Sequence, residues 1–304
     1  MPFYGNLTDR MQNGGGAVLQ WTESRRRGED HFSPGKGNGM KKKISLVQMD
    51  VRLGEPEANF SHAVALLEEA LRDSPDILVL PETVNVGFFP TPASRLAELA
   101  DENGKRTKEI FGGFARAHGV NLVAGSSAVK ENGVIYNRAY VFDRAGDVVA
   151  SYDKIHGFSP SGEPEYFKGG DHTVHFSLDG IACSMAVCYD VRFPELIRTE
   201  ALEGADLFFL PAAWPLVRKE HWVTLVKARA IENQMYVCAV NECGMAGETK
   251  NGGHSLLVSP WGEELCHLGE EEEIGQGVID MSVIAGIREG INVFRDRRPE
   301  LYKI

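Results

Sequence analysis

Three residues stand where a strand is expected to end, and their types suit one another. Cys188 follows the apolar run Ile181–Val187 and precedes Tyr189-Asp190-Val191-Arg192-Phe193-Pro194-Glu195. Pro194 suits the first position of a helix, which puts the thiol at a strand-to-helix junction. Free backbone N–H groups at such a junction lower a thiolate's pKa and can hold an oxyanion. Glu82 follows Val79-Leu80-Pro81. A carboxylate there is costly unless exposed or paired, and it is placed to act as a general base. Lys154 closes Val148-Val149-Ala150-Ser151-Tyr152-Asp153, where a fixed positive charge can steady an oxyanion or a thiolate. At one end of a sheet, acid, cation and thiol together make a covalent hydrolase site. Taken singly, each has a plainer role: a buried structural thiol, an edge acid facing water, a lysine in solvent. Cys183, within the same run as Cys188, is more poorly placed.

The elements that must position them alternate from residue 40 onward. Strands are expected at Ile44–Met49, Ile77–Leu80, Val120–Ala124, Ala139–Phe142, Val148–Tyr152, Ile181–Val187, Leu207–Leu210, Tyr236–Val240, Ser255–Val258 and Gly277–Ile279. Helices are expected at Glu55–Leu71, where Phe60, Val64, Leu67 and Leu71 recur at three- and four-residue steps, at Arg106–His118 with Gly119 as its C-cap, and at Leu216–Asn233. Many strands with a few helices predict an α/β (or α+β) layered domain. The segments Pro75–Pro81 and Ala205–Pro211 echo one another, each ending an apolar run in Leu-Pro. They read as equivalent central strands of a two-fold-like sandwich, with Glu82 after the first and Ala212 after the second. Residues 1–39, rich in Gly and Arg and lacking apolar periodicity, read as a disordered leader, with Met40 as the expected natural start and 40–304 as one domain.

Composition removes several classes of function. The chain has 304 residues and 43% hydrophobic content, enough for a large core. Its 43 acidic against 32 basic residues leave a net charge of −11, which repels polyanions, so no nucleic-acid partner is expected. The five cysteines contain no CxxC pair and suit free thiols in a reducing cytoplasm. No run approaches the ~18 apolar residues of a membrane helix. His172 and His175 are three apart but stand among alternating strand-like residues, His221 and His254 have no second ligand at metal spacing, and no HExxH, P-loop or GxGxxG pattern occurs. Neither metal nor nucleotide is expected.

The three strand-end motifs resemble one known set. Leu78-Val79-Leu80-Pro81-Glu82-Thr83, Tyr152-Asp153-Lys154-Ile155-His156 and Ala186–Glu195 are similar to the nitrilase superfamily of carbon–nitrogen hydrolases. Lys227–Gln234 and Gly253–Gly262 extend the resemblance, which runs roughly from Lys42 to Tyr302. It implies a four-layer α-β-β-α sandwich, paired into a homodimer or higher assembly, and a Glu-Lys-Cys triad on Glu82, Lys154 and Cys188. A second glutamate falls on Glu163, with Glu165 as the alternative. The implied chemistry is cofactor-free amide hydrolysis through a thioester. Wording around Cys188 and Arg229 looks most like the ω-amidase branch, which acts on 2-oxo dicarboxylic acid monoamides. N-carbamoyl amine or amino-acid hydrolysis is the alternative enzyme reading, and a non-catalytic binding module the alternative outside catalysis. A true nitrilase fits less well, because Tyr189-Asp190 stands where Trp-Glu is typical. Tyr189, Arg192 and Trp214 are the candidate substrate contacts. Arg192 is read either as the grip on a substrate carboxylate or as half of an ion pair with Glu195 or another acid.

Overall fold

A computed structural model describes residues 40–88 and 93–302; the expectations placed on residues 1–39 lie outside it. Along the chain come β1 (Lys41–Gln48), β2 (Ile77–Val79), β3 (Asp101–Glu102), β4 (Asn121–Glu131), β5 (Val134–Phe142) and β6 (Val148–Asp153). Then follow β7 (His175–Leu178), β8 (Ile181–Met185), β9 (Leu207–Ala212) and β10 (Tyr236–Asn241). A small hairpin of β11 (Met245–Ala246) and β12 (Thr249–Lys250) precedes β13 (Leu256–Val258) and β14 (Glu264–His267), and β15 (Glu273–Asp280) closes the series. One sheet runs β15-β1-β2-β4-β5-β6, with β3 beside β4, and the other runs β14-β13-β10-β9-β8-β7.

The two sheets repeat one plan. In the first, β1, β2 and β4 are mutually parallel and β5, β6 and β15 add antiparallel. In the second, β8, β9 and β10 are parallel and β13, β14 and β7 add antiparallel. The echoed segments are β2 and β9, the middle parallel strand of each sheet. Parallel neighbours need crossovers, and helices supply them. They are α1 (Pro56–Ala70) from β1 to β2, then α2 (Ala93–Leu99), α3 (Lys105–Thr107) and α4 (Gly113–His118) on the way to β4. In the second half α5 (Pro194–Leu202) joins β8 to β9 and α6 (Lys219–Asn233) joins β9 to β10; α7 (Ser282–Gly290) follows β15.

Strand periodicity explains the layers. Ile44, Leu46, Ile77, Val79 and Val123 point to a core shared with Cys183, Phe209, Cys238 and Leu257 of the other sheet. Their neighbours Val47, Leu78, Leu80 and Leu122 point the other way, onto Phe60 and Leu67 of α1 and Phe114 of α4. The outer face of the second sheet is covered by Ile197, Ala201, Trp222 and Val226. Sheets buried on both faces read as continuous apolar runs, which is why the strand cores were legible. The result is the expected α-β-β-α sandwich.

Several boundaries differ from expectation, each for a local reason. The run at Val120–Ala124 continues to Glu131, and Ala139–Phe142 begins five residues earlier, at Val134. The hidden lengths carry Ser126, Ser127 and Asn137, polar residues that are nonetheless buried. The expected helix Arg106–His118 holds a π turn over Lys108–Gly112, and Gly119 (φ 60°) caps it as expected. Leu216–Arg218 is a separate 3-10 turn before α6.

Candidate active site

Glu82 sits where the two central strands finish. Beyond β2 the chain crosses β4 at a bulge between Val123 and Ser126. Gly125 occupies that bulge at φ +63°, and a Cβ there would lie 1.7 Å from the Pro81 carbonyl oxygen. The close approach lets Ser126 Oγ accept the Thr83 N–H at 2.9 Å. From the opposite sheet, the end of β9 grips the same segment. Ala212 O accepts the Glu82 N–H at 3.3 Å, and the Ala213 N–H donates to Glu82 Oε2 at 2.7 Å. The echo is thus a physical meeting: the copy without an acid supplies the amide that orients the acid of the other.

Lys154 follows β6. Its N–H is donated to Asn137 O at 2.9 Å, and its Nζ reaches Glu82 Oε1 at 2.9 Å and Glu163 Oε1 and Oε2 at 2.9 and 2.8 Å. All three side chains are buried, so the ammonium is desolvated but flanked by two carboxylates. Burial alone pulls its pKa down; the charges of Glu82 and Glu163 outweigh this and hold it well above the ordinary value. Asn137 Nδ2 ties the glutamates together, donating to Glu82 Oε1 at 2.8 Å and to Glu163 Oε1 at 3.3 Å. Glu163 Oε2 also accepts the Phe158 N–H at 2.6 Å. Of the two candidate glutamates, Glu163 is buried against Lys154, whereas Glu165 is exposed.

Cys188 begins a 3-10 turn, Cys188–Arg192, at the end of the segment that continues β8. Its φ of +49° is a left-handed conformation that a side chain rarely adopts. Asp190, fully buried, holds the turn: its carboxylate accepts from the Val187 N–H at 3.0 Å, the His156 N–H at 2.9 Å and the Tyr152 hydroxyl at 2.8 Å. His156 Nδ1 lies 2.8 Å from the same group. The turn is therefore locked to the loop that carries Lys154. Burial pushes the Cys188 thiol well above its ordinary pKa, and the Glu82 charge adds to this; Lys154 and the Ala213 amide offset only part. The thiol thus lies beside the Glu82 carboxyl group, an arrangement suited to proton transfer between the two.

A cavity of about 320 Å³ opens over Cys188, lined among others by Phe88, Phe158, Tyr189, Ala213, Trp214 and Arg218. Two of the candidate substrate contacts, Tyr189 and Trp214, thus line this cavity. Arg192 does not line this cavity. Its guanidinium lies 4.7 Å from the Trp214 ring centroid, and its Nη2 is 3.2 Å from His221 Nδ1. Among the described residues it pairs with no carboxylate, so the ion-pair reading, with Glu195 or another acid, finds no partner there. Sequence reasoning missed Asn137, Ala213 and Arg218, and gave Asp190 no role although it stands inside the quoted motif.

The carbon-nitrogen hydrolase family model matches residues 43–289. The chain is 41% identical to a 2-oxoglutaramate amidase of Bacillus subtilis (strain 168) over 263 residues, 86% of this chain and 100% of the relative. It is 31% identical to the human omega-amidase NIT2, covering 86% of this chain and 97% of that one. Among solved structures, a CN-hydrolase superfamily protein of Xanthomonas campestris, carrying an arsenic adduct in its active site, superposes with a TM-score of 0.79 at 28% identity, over 85% of this chain and 98% of that one. A mutant amidase of Nesterenkonia sp. AN1, with the acetamide moiety of fluoroacetamide added covalently at its active-site cysteine, gives 0.76 at 28% identity, over 89% and 98%. With the fold, the motifs and these likenesses in agreement, the chain belongs to the carbon–nitrogen hydrolases of the nitrilase superfamily.

Proposed function

We propose that this enzyme hydrolyses the ω-amide of a short 2-oxo dicarboxylic acid monoamide, of the 2-oxoglutaramate type, using Glu82, Lys154 and Cys188. One observation carries the reading: a buried thiol, carboxylate and ammonium converge beneath a cavity, in a chain that matches an amidase of that substrate along the relative's whole length. Glu82 takes the thiol proton as Cys188 Sγ attacks the amide carbon. Lys154 and the Tyr189 backbone N–H steady the oxyanion, and one such donor contributes about 3 kcal/mol. The tetrahedral intermediate collapses, Glu82 returns its proton to the departing nitrogen, and ammonia leaves a thioester on Cys188. Glu82 then deprotonates a water that attacks the thioester, giving the carboxylate and restoring the thiol. Glu163 and Asn137 hold Lys154 and Glu82 in register throughout. The covalent adduct on the cysteine of the Nesterenkonia relative supports the choice of nucleophile. A homodimer in a reducing cytoplasm completes the reading. It is supported by free cysteines and by the exposed Leu202 of α5 and Ile231 of α6, apolar surface suited to a second subunit.

The test is ammonia release from 2-oxoglutaramate, 2-oxosuccinamate, glutamine, N-carbamoylputrescine and a simple nitrile. Rapid release from the two oxo-acid amides, abolished in Cys188→Ala and reduced at least about 100-fold in Glu82→Gln, is the expected result. Release from the carbamoyl compound alone would move the substrate class to ureido groups with the same three residues, and full activity in Cys188→Ala would refute the nucleophile.

A further inference from the structure

We propose that Arg218 anchors the far carboxylate of the substrate and thereby sets the preference for anionic over neutral amides; this rests on the amidase reading above. Three observations carry it. The cavity over Cys188 is walled by aromatic rings, and among its described lining residues Arg218 is the only charged side chain. It is held there from both ends. Its carbonyl accepts the Trp214 Nε1–H at 2.8 Å, and its guanidinium lies 5.0 Å from the Phe158 ring centroid. Both rings line the same cavity, so the cation is oriented by stacking rather than by a counter-charge.

Second, the guanidinium is electrically unsatisfied. Among the described residues no Asp or Glu pairs with Arg218, nor with Arg192, whose guanidinium packs on the Trp214 ring. Two cations thus flank one cavity wall without an acid, in a chain whose 43 acidic residues exceed its 32 basic ones. Burial, and then the repulsion of Arg192, lower the pKa of Arg218, the mark of a site that awaits an anion.

Third, the position is right. Arg218 and Cys188 line the same cavity of about 320 Å³. A substrate with its amide carbon at Cys188 and a carboxylate at its other end would bring the missing counter-charge to a planar fork built for bidentate pairing. Arg192, the sequence candidate for this grip, acts from behind Trp214 by adding positive potential and setting the ring.

The experiment compares glutaramate with valeramide, which has the same chain length but no carboxylate, in wild type, Arg218→Met and Arg218→Lys. The expected result is a loss of about 10- to 100-fold in kcat/KM on glutaramate, taken mainly in KM, against a clearly smaller loss on valeramide, so that the preference for the acid falls. Arg218→Lys should recover part of the loss, and the affinity for glutarate as a competitive inhibitor should fall in parallel. An equal loss on both amides would assign Arg218 a structural role and overturn the proposal. So would an undiminished preference for glutaramate in Arg218→Met. If wild type itself shows no preference for the acid, the substrate class fails and the anchor with it; if the preference survives the substitution, the anchor alone fails.

Discussion

Glu242 is a further buried carboxylate a short way from Glu82, and unlike Glu163 it pairs with no cation among the described residues. Its oxygens lie 2.6 Å from Asn251 Nδ2 and 3.3 Å from the Thr83 hydroxyl. Burial, and then the charge of Glu82, raise its pKa well above the ordinary 4.5. A raised carboxyl pKa stabilises the fold at low pH, and that stability is lost as pH rises through the folded value. Glu242→Gln, which keeps the shape and the Asn251 bond, should therefore gain on wild type as pH increases. Thermal melting between about pH 5 and 9 should show the gap widening by about 2–4 °C for each kcal/mol. Parallel curves for the two proteins would show that Glu242 is ionised in the fold. At this scale the sequence was informative where a chemistry-bearing residue ended an apolar run, as at Glu82, Lys154 and Cys188. It was silent at Asn137, whose value comes from partners 55 and 26 residues away. Arg218 was equally illegible, because its meaning depends on the Phe158 ring brought to it from another loop.

Among the elements, the bulge in β4 does the most to aim the site. Gly125 must be at positive φ and must pass within reach of Pro81 O. Any Cβ there forces β4 and the Glu82 segment apart. Gly125→Ala should cost at least about 2 kcal/mol of stability. It should also cut kcat by roughly 100-fold, as expected when a reacting group shifts by about 1 Å. Stability measured in urea beside kcat on 2-oxoglutaramate checks both; a variant with wild-type kcat would show that the bulge does not aim Glu82. The bulge also explains why the sequence reading ended this strand at Ala124. Gly125-Ser126-Ser127 breaks the apolar pattern, yet Ser126 and Ser127 lie inside, bonded to Thr83 and Thr107. Apolar runs mark where a strand crosses the core; they do not mark where it goes on to serve a site.

Across the whole molecule, the end of the sandwich away from the site is tied by charge. Arg144, after β5 of the first sheet, pairs with Asp76 at 2.9 Å and with Asp179 of the second sheet at 2.6 Å, and Lys42 of β1 reaches Asp179 at 2.7 Å. The Arg144 bond holds the Asp179 carboxyl well below its ordinary value of 3.8. A lowered carboxyl pKa gives stability that is present above 3.8 and disappears as pH falls below it. Asp179→Asn should therefore melt earlier than wild type at pH 7, with the deficit closing in more acidic buffer, and a deficit that persists unchanged at about pH 2 would argue against the pairing. The repeated plan of the two sheets was hinted at by one seven-residue echo. The rest of the repeat has no counterpart in wording, since many apolar side chains satisfy the same strand position. That repeat has a consequence for the site. Glu82 and Lys154 follow strands of one sheet and Cys188 a strand of the other, so neither sheet alone carries the candidate site. The distances between these three side chains are therefore set by how the two sheets pack on one another, and a substitution anywhere in the shared core that shifts one sheet against the other acts on the site as well.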